Sequence, residues 1–204
     1  MSSFDIKAAS WDNNPMNRER SKTIADALLS NVPIRKDMTA MEYGAGTGIT
    51  SFLLKDYLRE IILMDNSTGM LDVTNEKIRA AKVENIKALK FDLENDDYTG
   101  PKVDLIFSQM VLHHIIDIGN IVRKFHGMLN PGGFLAIADL YSEDGSFHGE
   151  GFTGHNGFDP DELSQTIAGQ GFMNISHREC FVMNKVIEGG MTKQFNIFLL
   201  IANR

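Results

Sequence analysis

Four of the six histidines in this 204-residue sequence fall in two short segments, His113-His114 and His148 to His155. Imidazole takes up and releases protons near neutral pH, and it also coordinates metals. The clustering suits a nucleophile whose proton must leave, with His113, His148, His155 and Asp139 as candidate catalytic groups. Metal ligation is the competing chemistry. No spacing here matches a zinc or iron pattern, and the one cysteine, Cys180, excludes a multi-cysteine site, so no metal ligand is assigned.

A second chemical signal is the stretch Met41-Glu42-Tyr43-Gly44-Ala45-Gly46-Thr47-Gly48. An apolar run ends in glycines and then becomes a helical pattern, which describes a strand, a tight turn and a helix start. Glycine lets the backbone turn sharply and lie against a ligand, and free N–H groups at the helix start suit an anionic group. The loop reads G-x-G-x-G. Ile49 stands where a dinucleotide fingerprint needs glycine or alanine, which counts against NAD or FAD.

The elements that must position these groups alternate. Residues 1–16 read as polar and irregular apart from Phe4, Ile6 and Trp11, and a helix is expected over 17–31, stopped before Pro33. A strand at 38–43 leads through the glycine loop to a helix at 48–57. A strand at 61–64 ends in Asp65-Asn66-Ser67, and Ser67 or Asn66 can cap the helix that runs to 82. Strands at 86–91 and 103–108 follow, then a loop at 109–116, a helix at 118–129, the turn Asn130-Pro131-Gly132-Gly133 and a strand at 134–140. After a long loop at 141–157 and a helix at 161–168, two long strands at 172–186 and 192–202 meet around Glu188-Gly189-Gly190. The pattern predicts one α/β domain over 1–204: a doubly wound, mostly parallel, seven-stranded sheet with an antiparallel C-terminal edge hairpin.

In such sheets ligands bind beyond the carboxyl ends of the strands, where strand order reverses. Gly44–Gly48, Asp65-Asn66, Asp92-Leu93 and Ser108-Gln109 therefore share one crevice. An acid ending the second strand suits a ribose diol, and Asp65 is there. Asp92, one strand further out, can reach an adenine edge.

These motifs, with Asp104-Leu105-Ile106-Phe107-Ser108 and Leu129-Asn130-Pro131-Gly132-Gly133, resemble in order and spacing those of class I S-adenosylmethionine-dependent methyltransferases. The resemblance spans about Met38 to Leu140, and the terminal hairpin also looks like that Rossmann-like fold. It implies S-adenosylmethionine as cofactor and S-adenosylhomocysteine as product. It implies further that Gly44, Ala45 and Gly46 lie beside the methionine portion, with Glu42 towards its amino end. Asp65 and Asn66 would take the ribose, Asp92 and Leu93 the adenine, and Ser108 and Gln109 the methionyl and sulfonium side. Leu112-His113-His114-Ile115 resembles a family pattern with histidine after the fourth strand. The run from Tyr141 to Asp159 resembles a signature of a small-molecule-type subset.

The expected activity is methyl transfer to a small-molecule acceptor by in-line displacement, in which positioning supplies much of the catalysis. Residues 1–35, with Trp11 and Arg18, are expected to form a lid, and 141–158 the acceptor wall. The Asn/Asp-Pro-Pro-aromatic element of base-amine methylation, the Pro-Cys of cytosine methylation and the paired-glutamate loop of arginine methylation are missing. Two other readings remain open: a non-catalytic S-adenosylmethionine-binding module, and a metal-dependent hydrolase built on His113, His114, Asp139, His148 and His155.

Composition narrows the partners. A formal charge of −7 without a basic block disfavours nucleic acid. No apolar run reaches the roughly 18–20 residues of a membrane helix, and no signal-peptide pattern opens the chain, so a cytoplasmic protein is expected. Cys180, in a strand-like run, reads as a buried, inert thiol. Oligomeric state is open.

Overall fold

The computed structural model describes residues 3–204. Strands β1 (Thr39–Tyr43), β2 (Glu60–Asp65), β3 (Ile86–Lys90), β4 (Val103–Gln109), β5 (Leu129–Leu140), β6 (Met173–Val186) and β7 (Thr192–Asn203) form one sheet. Their order is β3-β2-β1-β4-β5-β7-β6. The first five run parallel, and β7 runs antiparallel to β5 and to β6. This is the expected seven-stranded sheet with its edge hairpin. Strand order reverses between β1 and β4, which puts the crevice at their carboxyl ends.

The central strands are apolar on both faces because helices cover both. Ala40, Leu63, Leu105 and Phe107 pack with Ile24 and Leu28 of α2 (Pro15–Asn31) and Leu54 of α3 (Ile49–Leu54). On the other face Met41, Tyr43, Met64 and Ile106 pack with Val122 and Phe125 of α5 (Ile118–Met128) and Ile167 of α6 (Pro160–Gly169). Helix α4 (Thr68–Ala81) starts at Ser67, whose side chain accepts from the Met70 N–H, as the sequence suggested. Asp117 and Asp159 cap α5 and α6 in the same way.

Three local readings change. Residues 3–11 form a helix, α1 (Ser3–Trp11), where an irregular segment was expected. Phe4, Ala8 and Trp11 fall on one side of it, a stripe too short to fix a helix alone; tertiary contacts hold it, since the Asp5 carboxylate accepts from Ser67 Oγ at 2.6 Å and from the Gly69 N–H at 2.9 Å. Helix α3 is shorter than expected and ends in a 3-10 turn at Lys55–Tyr57. Strand β5 begins at Leu129, so the Asn130–Gly133 turn lies within it. Its register against β4 shifts between Val103 and Leu105, while Gly132, at φ +77°, and Gly133 pair with Arg204 instead.

No helix among the described residues is long and apolar enough to cross a membrane. Cys180 is partly buried, and burial pushes its thiol up to about 12, as expected for an inert group.

Candidate functional site

The glycine loop hangs from β2: the Gly44 and Ala45 N–H groups donate to the Met64 carbonyl at 2.9 and 3.0 Å. Gly44 and Gly46 have φ of +67° and +55°, a region that favours glycine. A Cβ on Gly44 would also run into Val111, 2.7 Å from its Cγ1. The loop is thereby pressed against the segment that follows β4. Asp65 closes it from the other side. One carboxylate oxygen accepts from the Gly46 N–H at 2.7 Å and the other from the Ser67 N–H at 2.8 Å. Burial raises the pKa of this carboxyl.

Glu42 is fully buried, with Oε2 accepting from Ser51 Oγ at 2.5 Å while Oε1 has no partner. Burial pushes its carboxyl up to about 8. Ser108 Oγ on the adjacent strand is likewise buried and unpartnered, and Ser108 pairs in register with Tyr43, the residue after Glu42. A buried polar atom without a partner is costly. The two point to opposite faces of the sheet, Glu42 with Ala40 and Phe107 and Ser108 with Tyr43 and Ile106, so Glu42 Oε1 alone fits a bound hydrogen-bond donor such as the amino end of the implied cofactor.

The outer part of the crevice is a cleft of about 570 Å³, a ligand-sized volume, lined by Asp5, Asn66, Thr68, Lys90, Phe91 and Asp92. Asn66 and Asp92 thus meet as expected, although the glycine loop and Ser108 do not line this cleft. The Asp92 carboxylate also caps its own loop, accepting from the Glu94 N–H and the Asn95 amide. Leu93 is buried, with its carbonyl held by Lys124 at 2.8 Å. The Gln109 amide donates to Ser21 Oγ at 3.0 Å, joining β4 to α2.

The N-terminal segment lies across the glycine loop. Asp12 accepts from Thr47 Oγ1 and pairs with Lys77 at 2.6 Å, and Lys77 also donates to the Thr47 carbonyl at 2.7 Å. Trp11 sits edge-on to Phe4, and the Arg18 guanidinium donates to the Asp12 carbonyl.

His113 lies in a 3-10 turn, Leu112–His114, next to Val111. Its Nδ1 is 2.6 Å from Asp139 Oδ1, and both side chains are buried. His148 stacks on Phe152 with centroids 3.9 Å apart. Centroids of His113 and His114 are 4.3 Å apart, and that of His148 lies 5.1 and 5.0 Å from them. Burial, assisted by the neighbouring His113, pushes His114 down to about 4 and His148 to about 3. His155 stands apart: its N–H donates to the His113 carbonyl at 2.7 Å, but its ring lies by Phe158 and its Nε2 is buried without a partner. The structure therefore assembles His113, His148 and Asp139, adds His114, and ties His155 in through its backbone.

Sequence reasoning singled out Arg18 and passed over Arg20. Arg20 is buried on α2, donating to Asn17 Oδ1 at 3.3 Å, and its Nε has no partner. Burial pushes its guanidinium down to about 10, opposed by the nearby Asp139. The signal was legible. Arg20, Ile24 and Leu28 fall on one helical stripe, so a charge occupies a core position.

Residues 41–137 match the family described as a methyltransferase domain. An uncharacterized methyltransferase of Schizosaccharomyces pombe is 30% identical over 145 residues, 63% of this chain and 51% of the relative. YcgJ of Bacillus subtilis superposes with a TM-score of 0.70 at 15% identity, covering 91% of this chain and 97% of that one. Phosphoethanolamine N-methyltransferase 2 of Haemonchus contortus, solved with phosphomonomethylethanolamine and S-adenosylhomocysteine, has a TM-score of 0.74 at 15% identity, covering 100% of this chain and 60% of that one. The chain spans about half the length of the curated relatives it matches. Over residues 41–137, just under half of its length, the chain is similar to a methyltransferase domain, and it shares the fold of the two solved structures above.

Proposed function

We propose that this chain is a class I S-adenosylmethionine-dependent methyltransferase domain that transfers a methyl group to a small-molecule acceptor whose reacting atom lies by the histidine cluster. One observation carries the reading. Val111 packs where a side chain on Gly44 would lie, and His113 follows two residues later, so the cofactor loop and the acceptor turn share a wall.

S-adenosylmethionine, when bound, supplies a sulfonium methyl group open to in-line displacement by a heteroatom. The chain's part is positioning and proton handling. Glu42 Oε1, which lacks a partner, receives the amino end of the methionyl portion, beside the backbone of Gly44, Ala45 and Gly46, and Ser108 borders that portion from the adjacent strand. Asp65 and Asn66 take the ribose, Asp92 and Leu93 the adenine, and Gln109 borders the methionyl side. Helix α1 and the Asp12–Lys77 pair form a lid. Asp139 occupies Nδ1 of His113, leaving Nε2 as the nitrogen that serves the acceptor. His148 and His155 belong to the acceptor wall at 141–158.

Calorimetric titration with S-adenosylhomocysteine, with NAD as control, tests the cofactor half. Micromolar binding of the first alone is expected, and binding of NAD alone overturns the reading. Transfer of labelled methyl to a panel of small hydroxyl, thiol and amine compounds then tests the acceptor half. Incorporation confined to macromolecules would overturn the small-molecule assignment.

A further inference from the structure

The nitrogens that His113, His114 and His148 offer lie within 4.8 Å of one another. We propose that these three side chains form a binding site for a divalent transition-metal ion of the zinc class, with one coordination position left for the acceptor's oxygen or sulfur.

Three features of the geometry support it. First, His113 and His114 are consecutive in a 3-10 turn, whereas His148 arrives from a loop more than thirty residues later, so the convergence comes from the fold. Second, Asp139 holds Nδ1 of His113 at 2.6 Å, which fixes the buried ring and leaves Nε2 as its ligand atom. A carboxylate on the far nitrogen of a metal-binding histidine is the usual second layer of such sites. Third, His148 is the most exposed residue of the three, so its ring is the least enclosed.

Ligand chemistry selects the ion. Magnesium and calcium require oxygen donors, and the three donors here are imidazoles. The iron oxygenase triad needs a directly bound carboxylate, but Asp139 is engaged with His113. Zinc accepts three histidines and an open fourth position. Metal–nitrogen bonds of about 2.1 Å in a tetrahedral site put the nitrogens about 3.4 Å apart, so nitrogens now up to 4.8 Å apart must close by up to about 1.4 Å.

An acceptor hydroxyl or thiol filling the open position gives up its proton to water more readily, because the ion stabilises the anion. The oxygen or sulfur lone pair then forms the bond to the methyl carbon as the carbon–sulfur bond of the sulfonium breaks, leaving S-adenosylhomocysteine. This acceptor role rests on the methyl-transfer reading above. Metal binding itself does not, and the experiment separates them.

The native full chain, stripped with chelator, is titrated with Zn²⁺ alone, and with Co²⁺ for its visible absorption. One ion per chain is expected, with a Co²⁺ spectrum of low coordination number. The exposed His148→Ala should weaken binding by at least about 100-fold and Asp139→Asn by about 10–100-fold, the loss typical of second-layer changes. Failure of the native chain to bind one ion overturns the proposal, as does unchanged affinity in His148→Ala and His114→Ala that remain folded by circular dichroism. Stoichiometric metal without S-adenosylhomocysteine binding would sustain the metal site and sink the methyl-transfer reading. The reverse result would sink only the metal site.

Discussion

Asp65 and the Gly46 N–H are joined by a 2.7 Å hydrogen bond, so the acid at the end of β2 holds the glycine loop closed. Its other oxygen is engaged by the Ser67 N–H at the start of α4. Each carboxylate oxygen has a second lone pair, so these bonds leave capacity for a ribose diol. Replacing Asp65 by Ala removes both the loop tie and the ribose acceptor. Affinity for S-adenosylhomocysteine should fall by about 1.5–3 kcal/mol, the worth of charge-assisted bonds. Asp65→Asn should fare little better, because an amide nitrogen would face a backbone donor. Calorimetry checks both variants, and undiminished affinity in either contradicts the role.

Gly44 meets two separate demands, a left-handed backbone and the space taken by Val111. Gly44→Ala should cost about 1–2 kcal/mol through conformation and about 1–3 kcal/mol through overpacking. Val111→Ala in the same chain should recover the second part and not the first. Urea unfolding of the two single variants and the double variant measures the split. Full recovery in the double variant would show that backbone strain contributes nothing there.

Much of this was legible in the sequence, and the exceptions share a cause. The buried strands, the glycine loop and the caps at Ser67 and Asp159 are local patterns, recorded in neighbouring residues. Helix α1 was missed because it is held by what it touches: Asp5 on α4, and Phe4 against His114 with centroids 5.5 Å apart. The early start of β5 depends on pairing with the chain terminus at Arg204, which no local window contains. In the site, the acids at the strand ends follow from strand order. The clustering of histidines on the loops after the fourth and fifth strands was legible, but which ring closes on His113 and His114 depends on the path of the 141–158 loop, which brings in His148 and leaves the His155 ring by Phe158. Arg20 was visible as a charge on an apolar stripe, a local signal passed over for its exposed neighbour Arg18.

His113 and Asp139 form a buried pair, and Asp139 also accepts from the Leu140 N–H at 2.8 Å. Asp139→Ala leaves two or more buried donors without an acceptor, at about 1–3 kcal/mol each. The variant should unfold at markedly lower urea concentration. His148 stacks on Phe152, so His148→Ala should cost about 0.5–1.5 kcal/mol of stability and leave S-adenosylhomocysteine affinity within a factor of about two, while turnover falls at least about 100-fold, the scale of a lost acid–base or ligand group. Full turnover in that variant on an identified acceptor removes His148 from the site.

Glu42 offers a test that needs no acceptor. Its carboxyl is held up at about 8, chiefly by burial, against the ordinary 4.5. Between these values the unfolded chain has released the proton and the folded chain keeps it. Folded stability is therefore greatest below the ordinary value, declines as pH rises through this window and levels off above about 8. Glu42→Gln, which cannot ionise, should flatten that slope. If Glu42 Oε1 receives a cationic amino group, binding favours the ionised carboxylate, so the free protein must give up a proton when S-adenosylhomocysteine binds at pH 7. Calorimetric enthalpies measured in buffers of different ionisation enthalpy count that proton directly. The native chain should release close to one, and Glu42→Gln close to none. Equal release by both would place the titrating group elsewhere and remove Glu42 from the amino end of the cofactor.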